Sequence, residues 1–262
     1  RWRDAPTWGR WLLLGAAGGL VAMVREQDAL FLAVPAVYAG IGALGDLRRR
    51  DWGGVMRAAA GVALLAVAAF AVFTPQLAVY KVLNGDFRPS SDVSGKMSLV
   101  PAHALNALFS PYNGLFFWSP ILLAAVAGLV LLAWKHPRLG LALLAGFVLT
   151  CYINGAIKTW NTAGSFGARR FLNCTPLFVV GLAYGYDRLL RSRAPLLRAL
   201  VPALTLLAVA WNGGLIVQFV LEYMNRAKME WPRVFVNQLR LPGELPGIVR
   251  RFLTDRNSFY EQ

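Results

Sequence analysis

Two short stretches of the chain gather residues able to hold an anion. The first is Arg25-Glu26-Gln27-Asp28, which joins two apolar runs. The second begins at Lys158 and continues through Trp160-Asn161-Thr162-Ala163-Gly164-Ser165-Phe166-Gly167-Ala168 to the doublet Arg169-Arg170, just ahead of another apolar run. Its two glycines permit close backbone approach, and Ser165 offers a hydroxyl. Both guanidiniums stand where a helix would begin, and a helix N-terminus favours anions. Arginine grips phosphate oxygens in a two-pronged fashion, so this stretch reads as a phosphate seat to which Lys158 adds charge. An interfacial loop with snorkelling arginines would share the spacing. A third stretch, FSPYNGLFFWSP at 109–120, supplies aromatics suited to a membrane-interface belt, with Ser110, Tyr112 and Asn113 as its site candidates.

The elements that must position these residues follow from composition. The 262 residues are 57% hydrophobic and 15% charged, with a mean hydropathy of +0.49, against about 45–50% and about 25% in an ordinary soluble domain. A soluble enzyme, a disordered chain and a disulfide scaffold are all disfavoured, and the bilayer becomes the solvent to reason with. The formal charge of +14 would suggest nucleic acid in a soluble protein. Here the basic residues fall between apolar runs, where they orient a membrane protein and meet anionic headgroups, so nucleic acid is not the expected partner and membrane lipids are. Cys151 and Cys174 lie inside apolar runs and form no metal-binding spacing. Phosphate-loop, dinucleotide and nucleophile-elbow motifs are absent from the sequence, which gives ATP-driven and serine-hydrolase chemistry no support.

Apolar runs at 11–24, 29–45, 58–76, 114–134, 139–156, 171–187 and 199–221 predict an all-α, polytopic membrane protein with about seven transmembrane helices. Arg48, Arg49, Arg50, Arg57, Lys135, Arg138, Arg188 and Arg191 flank runs on one side, which places the start of the chain inside. The loops 77–113 and 157–170 then share the outer face with a tail. Residues 1–222 form one membrane domain, and 223–262 an extracytoplasmic amphipathic tail with apolar stripes at Trp231, Val234, Phe235, Leu239 and at Leu245, Ile248, Val249, Phe252, Leu253. The first two runs, from Trp11 to Gly45, are together shorter than the roughly 40 residues two full crossings need. Their charged connection is therefore expected below the headgroups, where ionisable groups must pair or face a wet cavity. An Arg25–Asp28 pair closing a plain helical hairpin is the alternative. Pro35 and Pro176 are expected to kink their helices, and Asn212 to make one interhelical hydrogen bond. His103 with Asp86 and Asp92 is a candidate metal group of undiagnostic spacing.

Three segments together resemble the GT-C membrane glycosyltransferases, which include protein mannosyltransferases and the aminoarabinose transferases of lipid A. They are GLVAMVREQDALFLAVP at 19–35, FSPYNGLFFWSP at 109–120 and WNTAGSFGARRFLNCTPLFVVGLA at 160–183. The resemblance is one of order and side and covers most of the chain. It implies a sugar donor linked to polyprenyl phosphate, used at the outer face of the cytoplasmic membrane, and a glycan, lipid or protein acceptor. By that resemblance Arg169, Arg170 and Lys158 hold the lipid phosphate, while Arg25, Glu26 and Asp28 line the same cavity, with Trp160, Ser165, Tyr112 and Asn113 beside them. The family's acceptor-activating carboxylate lies in a first outer loop with no counterpart here. The chain, which opens on Arg1, is thus expected to be part of a longer protein, inactive by itself and with no catalytic residue assigned. The resemblance leaves cofactors open, a divalent metal included, and assigns no metal ligand. Two rival classes are a transporter or flippase for a lipid-linked or anionic solute, which also places charges on broken helices, and a non-catalytic scaffold.

Overall fold

The computed structural model describes residues 7–90, 95–98, 100–161, 165–225 and 230–255. Every apolar run is helical. Helix α1 spans Trp8–Val24, and a 3₁₀ segment, Glu26–Leu32, leads into α2, Ala33–Arg48. Helix α3 follows at Trp52–Asn84, then two short helices, α4 (Ala104–Phe109) and α5 (Leu115–Trp118). The remainder is α6 (Ile121–Lys135), α7 (Pro137–Ala156), a second 3₁₀ segment (Arg169–Cys174), α8 (Thr175–Leu190), α9 (Pro195–Val220) and α10 (Trp231–Thr254). Among the described residues the only extended pairing is an isolated bridge between Met97 and Ile157.

Among the described residues four helical stretches are long and apolar enough to cross a bilayer: Glu26–Arg48, Trp52–Asn84, Pro137–Ala156 and Pro195–Val220. The apolar helices α1 and α6 are shorter. Side chains such as Leu13, Val67 and Leu206 stand 72%, 65% and 69% exposed on these helices, a surface that lipid would cover and water would not tolerate. The chain is an all-α, multi-pass membrane protein.

Proline sets several boundaries differently from the sequence expectation. Pro35 and Pro176 both stand just after a change from 3₁₀ to α winding. Each sits in the first turn of its helix, α2 or α8, where a missing N–H costs little, and the residues ahead of it wind as 3₁₀. At the second of these junctions the Thr175 hydroxyl donates to the Leu172 carbonyl at 2.6 Å, occupying an acceptor Pro176 cannot reach with an N–H. The run 114–134 is likewise not one helix. Ser119, preceding Pro120, is pushed to φ −133° and ψ 76°, which separates α5 from α6. Helix α3 overruns its expected end at residue 76. Its 33 residues extend about 50 Å against the roughly 30 Å of hydrocarbon, and Gly85 closes it with φ 75° and an N–H to the Lys81 carbonyl.

Small residues let the long helices approach closely. Gly15 and Gly19 of α1 lie on the α3 backbone at Leu65 and Ala69, and Gly128 of α6 lies on the Gly181 carbonyl of α8. Trp11 is buried against Gly61. The main core joins α6, α7 and α8 through Leu129, Phe147, Leu177 and Phe178. Asn212 of α9 bonds outside its own helix, though to the break between α5 and α6 rather than to a helix, accepting from Ser119 Oγ at 3.2 Å.

Within the expected tail, Trp231–Thr254 forms one continuous helix, α10, despite Pro242 and Pro246. Its first half packs on α9: Val234 is fully buried, the Trp231 ring meets Phe117 at 4.6 Å, and Gln238 donates to the Trp211 carbonyl at 2.9 Å while accepting from Gln218 at 2.7 Å. The second half leaves Val249, Phe252 and Leu253 exposed.

Candidate functional site

The C-terminal end of α7 is the platform of the site. Its last carbonyls have no partner within the helix and are met by the preceding loop: Ser98 N–H donates to Ala156 O at 2.8 Å and His103 N–H to Gly155 O at 3.0 Å. Gly155 lacks a side chain where Ala104 presses its backbone against α7, so any larger residue would push the loop away. The loop is thereby clamped to α7, and it carries His103, Tyr112 and Asn113 to Trp160. The Trp160 ring stacks on His103 at 5.9 Å and meets the Tyr112 edge at 6.5 Å. Asn113, only 3% exposed, donates through Nδ2 to the Asn161 carbonyl.

The second 3₁₀ segment, also in contact with α7, presents Arg169 and Arg170. Arg169 is exposed and Arg170 half-buried. Arg170 Nη2 donates to Thr159 O at 3.0 Å and to Thr159 Oγ1 at 3.3 Å, which turns the guanidinium toward the loop that carries Trp160. The same segment contacts the α1–α2 connection: Asn173 Nδ2 donates to Asp28 Oδ1 at 2.7 Å across 145 residues of sequence. Arg25 ends α1 in extended geometry and donates to Gln27 Oε1 at 3.2 Å. Within the described residues Arg25 and Asp28 do not pair with each other, so a self-neutralised hairpin is not what the structure contains.

Electrostatics ties these parts together. The Arg170 guanidinium is held below its ordinary pKa, first by burial and then by the positive charges of Arg25 and Arg169. Two further cations thus act on Arg170 at the junction of the two 3₁₀ segments. Asp28 is the nearby carboxylate, and it already accepts from Asn173. Such a cluster is short of negative charge.

Beneath Trp160 lies a hollow of about 10 Å³, bordered by Asn113, Asn154, Trp160 and Arg170. Arg170 Nε and Asn154 Nδ2 are both buried with no hydrogen-bond partner. Asn154 comes from α7, on the face that also presents Phe147 and Thr150 to the core. Sequence reasoning missed both Asn154 and Asn173, since a single amide in an apolar run carries no spacing signal.

Other expected residues sit apart. Glu26 is exposed and accepts from the Tyr80 hydroxyl, so it ties the first 3₁₀ segment to the overrunning end of α3. Lys158 is exposed, with its backbone N–H on Lys96 O at 2.9 Å. Ser165 is half-buried beside Phe166, whose ring packs on Trp118 and on Phe219 of α9 rather than toward the arginines. Thr162, Ala163 and Gly164 lie outside the described residues, as does Asp92. His103 stacks on Trp160, and Asp86 faces Arg88 at 3.6 Å. Among the described residues no three His, Cys, Asp or Glu side chains gather.

Fold and site together define a class: a multi-pass helical membrane protein with a small hollow edged by Trp160, Asn113 and Asn154 and lined by the cation Arg170. No family model, curated protein or solved structure matches the chain.

Proposed function

We propose that this chain holds the donor of a membrane glycosyltransferase, a sugar carried on polyprenyl phosphate, at the extracytoplasmic face of the cytoplasmic membrane. In this reading seven helices cross the bilayer (α1, the Glu26–Arg48 stretch, α3, α6, α7, α8 and α9), and the site lies at the end where α7 meets its loops. The observation that carries the proposal is Arg170, which lines the hollow beneath Trp160 with its Nε unpartnered while the positive charges of Arg25 and Arg169 act on it. A cation so placed is relieved by a bound anion, and a phosphate beside an apolar helix surface supplies one. As the sugar departs, charge grows on that phosphate, and cations already in place stabilise it. Trp160 and Tyr112 offer ring surface to the sugar, and Asp28, oriented by Asn173, offers an acceptor to its hydroxyls. The catalytic base is not assigned to any residue of this chain. The acceptor is a glycan, a lipid or a protein.

The test is substitution of Arg169 and Arg170 by Ala in the full protein, with transfer from a polyprenyl-phosphate sugar followed in proteoliposomes. Transfer is expected to vanish with folding intact. Unaltered turnover removes the arginines from the site.

One observation favours a second reading. Both charged segments are 3₁₀ breaks at helix ends, a construction that transporters use around anionic substrates. A flippase for a lipid-linked or anionic solute would move labelled solute across the bilayer with no change in its covalent structure, and the same proteoliposomes separate the two.

A further inference from the structure

We infer that Asn154 is a ligand-binding residue, and that the hollow it shares with Arg170 receives one oxygen of a phosphoryl group or a similar oxyanion. This deepens the reading above, because Arg170 belongs to both. Asn154 is 2% exposed and its Nδ2 donor has no partner. Arg170 lines the same hollow, and its Nε is also buried and unpartnered. Two unpartnered N–H donors on residues that line one small space call for an acceptor atom, since buried polar groups are rarely left unpaired. The space of about 10 Å³ is close to that of one probe sphere, enough for a single oxygen and too little for a whole phosphate. The rest of the group would lie outside, toward Arg25 and Arg169. Negative charge on the oxygen is favoured because those guanidiniums act on Arg170.

The fold keeps Asn154 from turning away. The loop bonds to Gly155 O and Ala156 O fix the helix end immediately after it, and Ala104 packs against Gly155. Arg170 is fixed in turn by its two bonds to Thr159. The two donors are therefore arranged before any ligand arrives, which limits the entropy lost on binding.

The experiment measures binding of inorganic phosphate and of dodecyl phosphate to the purified full protein in a non-ionic detergent, for the wild type and for Asn154→Leu and Asn154→Asp. Leucine removes the donor at similar volume, and aspartate keeps the shape while adding repulsive charge. Dodecyl phosphate is expected to bind at least tenfold more weakly to Asn154→Leu and more weakly still to Asn154→Asp, with the melting temperature retained. Parallel losses for inorganic phosphate identify the phosphate group as sufficient, whereas binding of dodecyl phosphate alone identifies a lipid headgroup. Should Asn154→Leu fail to fold, the isosteric Asn154→Asp gives the answer by itself. Affinities unchanged within twofold in a folded variant would mean that the hollow holds only a water, and the inference falls. If Arg170→Ala abolishes binding while both Asn154 variants bind normally, the inference falls and the transferase reading stands.

Discussion

Arg138 and Arg170 lie near opposite ends of α7 and are held in opposite ways. Arg138 Nε donates to the Tyr38 carbonyl at 3.0 Å, and its guanidinium lies over the Tyr38 ring at 4.2 Å. It fills the space beside Gly42, so α2 and α7 are joined through one cation whose charge is answered by a carbonyl and an aromatic face. Arg170 has its outer nitrogen on Thr159, its Nε on nothing, and two further guanidiniums acting on it. A cation that builds the fold has its charge met inside the fold. A cation kept for a ligand is left short of it.

The largest effect expected from that difference is at Arg170. Removing one member of a buried, charge-assisted contact costs about 2–5 kcal/mol of binding, or roughly 30-fold to a few thousand-fold at about 1.4 kcal/mol per decade. Arg170→Ala should therefore lower transfer by at least about thirtyfold. Its melting temperature should hold or rise, because repulsion with Arg25 and Arg169 is relieved. A variant that lost activity only in proportion to lost fold would make Arg170 another Arg138.

The reverse pattern is expected at Arg138. Arg138→Ala gives up a ring contact and a hydrogen bond, together about 1–3 kcal/mol, and thermal unfolding should shift down by several degrees. Turnover per folded molecule should stay within about twofold, as for substitutions away from a site. A selective loss of turnover would show that the opposite end of α7 contributes to the reaction.

Asn173→Ala probes the contact between the two 3₁₀ segments. Asp28 loses its 2.7 Å donor, and a hydrogen bond to a charged group is worth about 1.5–3 kcal/mol. The apparent KM for the donor should rise by about tenfold with kcat less affected, since Asp28 is oriented by this bond rather than held by Arg25. An unchanged KM would detach the α1–α2 connection from the site.

The parts of this arrangement that could be read from the sequence are those whose residue types stand out in an apolar chain. Arg25, Asp28, Arg169 and Arg170 are ionisable groups beside membrane-length runs, and that cost alone marks them. Asn154 and Asn173 could not be told from Asn212, which does serve helix packing through Ser119. What separates them is the partner each amide meets, a property of packing between distant segments. The helix breaks were misplaced for a local reason: apolar periodicity reads straight through Pro35, Pro120 and Pro176, while backbone geometry does not. The docking of α10 was hidden as well. Its amphipathic stripe is the same whether it meets lipid or α9, and it is the buried Val234 and the bonds of Gln238 to Gln218 and to the Trp211 carbonyl that distinguish the two for its first half.

Lys158 gives the smallest expected effect and the finest measure of how far the site extends. The sequence grouped it with Arg169 and Arg170 as a phosphate ligand. In the fold its backbone is pinned to Lys96 and its side chain is exposed, so its charge acts through solvent. A charge in that position is screened over about 8 Å at physiological ionic strength, and exposed charge contributions run at about 0–1 kcal/mol. Lys158→Ala should therefore reduce transfer by less than about fivefold, and the deficit should shrink as salt is added, since what is lost is attraction at a distance. The Arg170→Ala deficit should persist at the same salt, because a partly buried donor that touches the ligand is screened far less. If the two variants respond to salt alike, Lys158 reaches the anion directly and the seat extends along the loop beyond Trp160.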